Sequence, residues 1–132
     1  MQTVLVVVLG LHGLAGVFWA GATFVLARIG GAGADRLFGP MIGAAGVAIL
    51  AGGYLMQLTH DGAFGAAEKV LLVGIIAALL ALVVQPVGAS RGVRLKARDR
   101  APAAQSRLAV TYRVSAALLA ITVVAMVTAR YF

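Results

Sequence analysis

The residue of this sequence with the clearest capacity for chemistry is His12, which lies inside a long apolar stretch. Polar side chains are costly within a bilayer, so a histidine in such a stretch is expected to have a structural or functional role. Gly16, Trp19 and Thr23 follow it by four, seven and eleven residues, which places all four in one stripe of a helix. We expect this stripe to face the interior of a helix bundle, where an imidazole beside an indole and a glycine gap suits a planar ligand.

Two interpretations of His12 remain open. Imidazole is a common axial ligand of haem iron and a common copper ligand, which would make His12 a metal ligand. The alternative is a histidine that donates a hydrogen bond to a backbone carbonyl, or bonds a hydroxyl, on a neighbouring helix. Both interpretations place His12 at a contact between helices.

A second polar group lies around the start of the third apolar stretch. It contains His60, Asp61, Glu68 and Lys69. Lys69 either reaches inward along the bundle or extends its charge outward to water. His60 and Asp61 belong to a wet loop or, alternatively, collect a metal ion or relay protons, so His60 is a second candidate metal ligand.

Two arginines flank the apolar stretches at the opposite end. Arg28 ends the first stretch, where a cation is favoured by the helix dipole. Arg113 lies near the start of the fourth stretch, and it either extends to the membrane surface or binds an acidic group such as a lipid phosphate or a propionate. Further polar residues are expected only to form hydrogen bonds between helices: Tyr54, Gln57, Ser115 and Thr122.

The composition excludes several classes of function. Of the 132 residues, 62% are hydrophobic and 11% are charged, against about 25% charged in soluble domains. The chain has no cysteine, which excludes disulfides and thiolate chemistry. Its net charge of +7 does not indicate nucleic-acid binding, because no aromatic residue is interleaved with the basic cluster.

Four stretches are long and apolar enough to span a membrane as helices, since a span needs about 20 residues. They cover residues 3–27, 41–59, 69–87 and 108–129. Pro86 and Gly88 predict the end of the third helix. The fold is therefore expected to be an all-α membrane protein, in which a single domain over residues 1–132 forms an antiparallel, up-down-up-down bundle of four transmembrane helices.

The distribution of basic residues predicts the orientation. The first and third connections hold Arg28, Arg36 and the six basic residues of 88–107, eight in total, whereas the other side holds Lys69 and Arg130. By the positive-inside rule, residues 88–107 form a basic cytoplasmic loop, and both termini lie outside the cytoplasm.

Glycines inside the second stretch are expected to allow helices to approach closely, as small residues do in membranes. These are Gly39, Gly43, Gly46, Gly52 and Gly53. Packing between helices is sufficient to account for them.

The segment LHGLAGVFWAGATFVLAR contains a histidine, then a tryptophan seven residues later, then an arginine nine residues after that. It resembles the first helix of HemJ-type protoporphyrinogen IX oxidases, and its histidine–tryptophan part resembles the CopD-type copper-resistance membrane proteins. The segment AAEKVLLVGII resembles the third helix of the HemJ-type proteins, in which a lysine lies at the start of the helix. The matching residues are His12, Trp19, Arg28 and Lys69. The fourth helix reads RLAVTYRVSAALLAI, where the family has an arginine followed by asparagine, glutamate and proline.

The resemblance implies a protein of the bacterial inner membrane that binds haem b, with His12 as axial ligand and Lys69 as a catalytic residue. Together with the residues singled out above, the candidate cofactor-binding residues are His12, Gly16, Trp19, Arg28 and Arg113. An oxidoreductase of this kind would act on protoporphyrinogen IX or a related redox partner, such as a porphyrin or quinone-like molecule arriving through the lipid bilayer. One alternative is a copper-handling protein that uses His12, His60 and Met56. Another is a non-catalytic accessory subunit, which would act with a partner subunit or a second copy of the chain.

Overall fold

The protein folds into four long α-helices, described by a computed structural model over residues 1–59, 62–97 and 101–132. They are α1 (Gln2–Arg28), α2 (Ala34–Thr59), α3 (Ala66–Ala97) and α4 (Ala101–Ala129). Even α2, with 26 residues, reaches about 39 Å at a rise of about 1.5 Å per residue, which exceeds a hydrocarbon core of about 30 Å. All four are long and apolar enough to cross a membrane. The predicted all-α integral membrane protein with four candidate spans is confirmed.

Helix α3 is longer than the sequence predicted, and its predicted end at Pro86 and Gly88 is wrong. Both residues lie inside α3, which continues to Ala97, and α4 already begins at Ala101. Most of the predicted loop 88–107 is therefore helical. A proline removes only one hydrogen bond from a helix, and packing of the following turns against a neighbouring helix offsets that loss.

The packing that holds this part of α3 is a close approach to α4. A side chain at Gly88 would overlap Thr111, and one at Gly92 would lie 3.3 Å from Leu108. Further along, Thr122 donates a hydrogen bond of 3.0 Å to the carbonyl oxygen of Gly74. The contacts run in opposite directions along the two helices, so α3 and α4 are antiparallel along this interface.

Helix α2 also begins earlier than predicted, at Ala34 rather than near Met41, and it includes Pro40. The turn before it contains three glycines with positive φ: Gly30, Gly31 and Gly33. The amide of Gly31 donates to the carbonyl oxygen of Leu26, and a Cβ at Gly31 would lie 3.0 Å from the Cβ of Leu108. Glycine is therefore required here both for backbone conformation and for the approach to α4.

The glycines predicted to pack α2 closely do so at one position. A Cβ at Gly52 would meet a neighbouring helix, whereas open space surrounds the others: Gly39, Gly43, Gly46 and Gly53. The closest glycine contacts are instead on α3, which packs along α4.

Helix α1 packs on α2 and also contacts α4. Its buried residues are Trp19, Ala20, Thr23 and Leu26, all in its carboxyl-terminal half. No residue before Trp19 is buried. The amino-terminal half of α1, which carries His12, is therefore open on the sides that α2 does not cover.

Candidate functional site

The imidazole of His12 is fixed by a hydrogen bond to α2. Its Nδ1 lies 2.7 Å from the carbonyl oxygen of Ala48. Because a carbonyl oxygen only accepts, Nδ1 carries a proton, and in the neutral form of the ring the unshared electron pair is therefore on Nε2. Histidines that bind metals commonly donate from the other ring nitrogen to a carbonyl in this way, which fixes the tautomer and the orientation of the ring.

Gly52, one turn after Ala48, makes room for this ring. A Cβ at position 52 would lie 2.9 Å from Cε1 and 3.2 Å from Nδ1 of His12. Any side chain at position 52 would therefore displace the imidazole. His12 therefore forms the hydrogen bond to a backbone carbonyl that its second interpretation describes, and its role as a metal ligand stays a prediction.

The surface of α1 next to His12 is open at two glycines. A Cβ at Gly13 or at Gly16 would have no neighbour within 4 Å. Within the part of the chain that the structure describes, no hydrogen bond involves Nε2 of His12, and the ring is only half-buried. Gly16, predicted to contact a cofactor, thus borders open space next to the histidine.

Trp19 belongs to a closed ring of three buried polar groups. Its indole Nε1 donates to Oε1 of Gln85 at 3.0 Å, and Nε2 of Gln85 donates to Oγ1 of Thr23 at 2.9 Å. Thr23 in turn donates to the backbone oxygen of Trp19 at 2.7 Å. Each of the three residues is at most 3% exposed. The ring joins α1 to α3 and fixes the plane of the indole about two helical turns, or about 10 Å, beyond His12.

Sequence reasoning missed Gln85. The signal was present, because an amide side chain within the apolar run LLALVVQPVG is costly in a membrane unless it is paired. The assumption that the helix ends at Pro86 placed Gln85 at a wet helix end. In the structure α3 continues, so Gln85 lies inside the bundle and is 1% exposed.

The other candidate residues lie apart from His12 and Trp19. Lys69 is exposed in the first turn of α3, Arg28 is exposed at the end of α1, and Arg113 is exposed on α4. In the described residues, no hydrogen bond or ion pair joins any of them to His12 or Trp19. His60, predicted as a metal ligand, and its neighbour Asp61 lie outside the described residues.

Among the described residues no group of three or more His, Cys, Asp or Glu side chains is placed to hold a metal ion. A haem needs only one or two axial ligands from the protein, so a single well-oriented histidine is compatible with it. A copper site made only of protein ligands needs several side chains around the ion, and the described residues place no such group of His, Cys, Asp or Glu next to His12.

The residues predicted only to form hydrogen bonds between helices differ in what they contact. Thr122 forms the predicted bond between helices, to Gly74. The Ser115 Oγ is buried without a partner among the described residues, as is the hydroxyl of Tyr112. Tyr54 and Gln57 are exposed and face outward from the bundle.

Comparison with known proteins finds no relative. No protein-family model, no curated protein and no solved structure matches the chain. The likeness to the HemJ and CopD types rests on the four residues quoted above, and functional argument rests on the geometry of the site.

Proposed function

We propose that this protein is a haem-b-binding integral membrane protein of the HemJ/CopD-like type, with Nε2 of His12 as an axial ligand of the iron. The hydrogen bond from Nδ1 of His12 to Ala48 carries the proposal. It leaves Nε2 as the electron-pair donor and holds the ring in one orientation before any ligand arrives.

Open space on α1 beside His12 supports the proposal of a planar ligand. Gly13 and Gly16 leave open space on α1, and the half of the helix before Trp19 has no buried residue. Trp19, fixed by Gln85, gives a rigid aromatic boundary on the same stripe. When bound, haem would supply one-electron redox chemistry, while the protein supplies the axial nitrogen and an environment without water.

The proposed topology is up-down-up-down, with both termini outside the cytoplasm of a bacterial inner membrane. The eight-to-two distribution of basic residues supports it, and so do the opposed contacts of α3 with α4. In this topology Lys69 lies on the same side of the membrane as His12. We assign to Lys69 a role toward the porphyrin, either as a ligand through its neutral amine or as a positive charge at the edge of the ring.

Arg28 and Arg113 take a different role in the proposal. Arg28 follows His12 by sixteen residues on one helix, which corresponds to about 24 Å along the axis. In the proposed topology Arg28 lies at the cytoplasmic end of α1, where its charge helps to orient the helix. The exposed Arg113 belongs to the same end of the bundle, so propionate binding is not assigned to either residue.

The oxidation of protoporphyrinogen IX is implied by the resemblance alone. The fourth helix, RLAVTYRVSAALLAI, differs from the family at the asparagine–glutamate–proline pattern. The proposal is therefore first that the protein binds haem. Redox activity with a porphyrin or quinone-like partner is proposed in addition, and it depends on haem binding.

A second candidate function is that of an accessory subunit without cofactor. The fit of the His12 ring against Gly52 favours it, because the histidine would then serve only to hold α1 against α2. Copper handling through His12, His60 and Met56 is the third, and the described residues supply no ligand group for it.

The test is the haem and metal content of the purified chain, expressed in cells supplied with iron, copper and haem precursor. Haem b equimolar with the protein would support the proposal. A colourless protein with bound copper would contradict it in favour of copper handling, and a protein with neither would leave the accessory role.

A further inference from the structure

A groove lies between α3 and α4, away from His12, at the end of the bundle that carries most of the positive charge. It has a volume of about 590 Å³. Arg91 of α3 and Arg107 of α4 both line it, and none of its lining residues is acidic. Neither guanidinium has a hydrogen-bond or ion-pair partner among the described residues.

The deeper part of the groove is lined by apolar side chains. Its wall includes Val84, Val87 and Val110, with Thr111 at the contact between the helices. Val84 lies seven residues before Arg91, which is about 10 Å along the helix toward the middle of the span. The groove thus combines a cationic rim with an apolar wall that continues into the hydrocarbon region.

The two arginines lie near the ends of candidate membrane spans, where lipid headgroups would meet them. Arg91 is near the end of the candidate span Ala66–Arg94 in α3, and Arg107 is near the start of the candidate span Pro102–Ala129 in α4. Guanidinium groups bind phosphate through paired, charge-assisted hydrogen bonds. An anionic phospholipid matches both parts of the groove, because its phosphate meets the arginines and its acyl chain covers the valines.

We propose that this groove is a binding site for one anionic phospholipid, held by Arg91 and Arg107. Cationic residues next to a membrane span attract anionic lipid, and two of them on facing helices fix the position of a single headgroup. The tight contact of Gly88 with Thr111 forms the floor of the groove and keeps the two helices, and therefore the two arginines, at a constant separation.

The experiment compares the full chain with the variant R91Q/R107Q, each titrated in detergent with phosphatidylglycerol and with phosphatidylcholine. Bound lipid is counted by native mass spectrometry. Removing both charges should weaken phosphatidylglycerol binding by about fivefold for each arginine, and phosphatidylcholine should bind weakly to both proteins. The matched control is R36Q/R94Q, which removes two exposed charges outside the groove and should keep the affinity.

Three results would overturn the proposal. The first is an equal loss of affinity in both double variants, which would indicate only general attraction by net charge. The second is inorganic phosphate competing as well as phosphatidylglycerol, which would indicate a site for a free anion. The third is unchanged binding in V110W, which retains both arginines but fills the apolar wall from an exposed position and should therefore exclude the acyl chain.

Discussion

The Nδ1 of His12 and the carbonyl oxygen of Ala48 lie 2.7 Å apart, across the contact between α1 and α2. This single bond satisfies a polar group in an apolar segment and, at the same time, selects the tautomer in which Nε2 is free to bind a metal. Packing and metal binding are therefore not competing uses of the imidazole. Nδ1 serves the packing, and Nε2 would serve the proposed binding of iron.

The first prediction concerns the room that Gly52 leaves for this ring. In G52A the new Cβ would lie 2.9 Å from Cε1 of His12, so the imidazole must move and its bond to Ala48 must lengthen. We expect a loss of stability of about 1–3 kcal/mol, as for other overpacked sites, together with reduced haem retention. The measurement is unfolding in mixed detergent alongside haem content.

The neighbouring glycine provides the control. G53A places the same methyl group in open space, with no atom within 4 Å of it. It should leave stability and haem content close to those of the original protein. Equal effects of the two substitutions would show that helix propensity, and not the position of His12, causes the change.

The second prediction concerns Gln85. In Q85L the indole of Trp19 and the hydroxyl of Thr23 lose their partner on α3. Hydrogen bonds between membrane helices contribute about 0.6 kcal/mol on average and up to about 1.7, so two of them predict a loss of about 1–3 kcal/mol. Q57L, at an exposed position, is the control and should have little effect.

Trp19 itself reports the outcome, because it is the sole tryptophan of the chain. Loss of the polar amide beside the indole should shift its fluorescence to shorter wavelength in Q85L and leave it unchanged in Q57L. An unshifted spectrum in Q85L would contradict the hydrogen-bonded ring of Trp19, Gln85 and Thr23.

Much of the fold could be predicted from the sequence, because length and apolar content alone determine how many helices cross a membrane. The ends of the helices could not. Pro86 and Gly88 are strong breakers in an isolated helix, but the contact of Gly88 with Thr111 stabilises α3 beyond them. That stabilisation comes from a residue 23 positions away, which local sequence signals do not contain.

The candidate site could be predicted only in part, because contacts with other helices are not contained in local sequence signals. The period of the helix correctly placed Trp19 and Thr23 in the interior, and His12 at a contact between helices. Which partner each residue meets depends on how the helices pack, so Ala48 and Gln85 were not foreseen. Lys69 was grouped with His12 by membrane side alone, and the structure shows no contact between them among the described residues.

The third prediction concerns membrane orientation. A reporter that is active only in the cytoplasm should be silent when fused after Phe132 and active when inserted between Ala97 and Ala101, where neither α3 nor α4 is interrupted. The physical reason is the eight-to-two bias of basic residues. The reverse pattern of reporter activity would overturn the orientation, though not the number of spans.

The fourth prediction compares Lys69 with His60 as contributors to the haem site. Gly52 is level with His12, and Thr59 lies seven residues further along α2, or about 10 Å. His60 comes after Thr59 in the sequence, whereas two axial nitrogens of one haem are only about 4 Å apart, given iron–nitrogen distances of about 2 Å. We therefore expect H60A to leave the haem spectrum unchanged. We expect K69A to alter it, because the long side chain of lysine can reach inward from the start of α3. A spectrum sensitive to H60A but indifferent to K69A would reverse the assignment.

The most direct test of the central claim, that Nε2 of His12 binds haem iron, is the reduced-minus-oxidised visible spectrum of the purified protein and of H12A. The original protein should show a sharp Soret band with reducible α and β bands. H12A should still insert in the membrane but lose most of its haem, and imidazole added during haem loading should restore the bands by occupying the vacated position. Haem bands of full intensity in H12A without imidazole would contradict the claim.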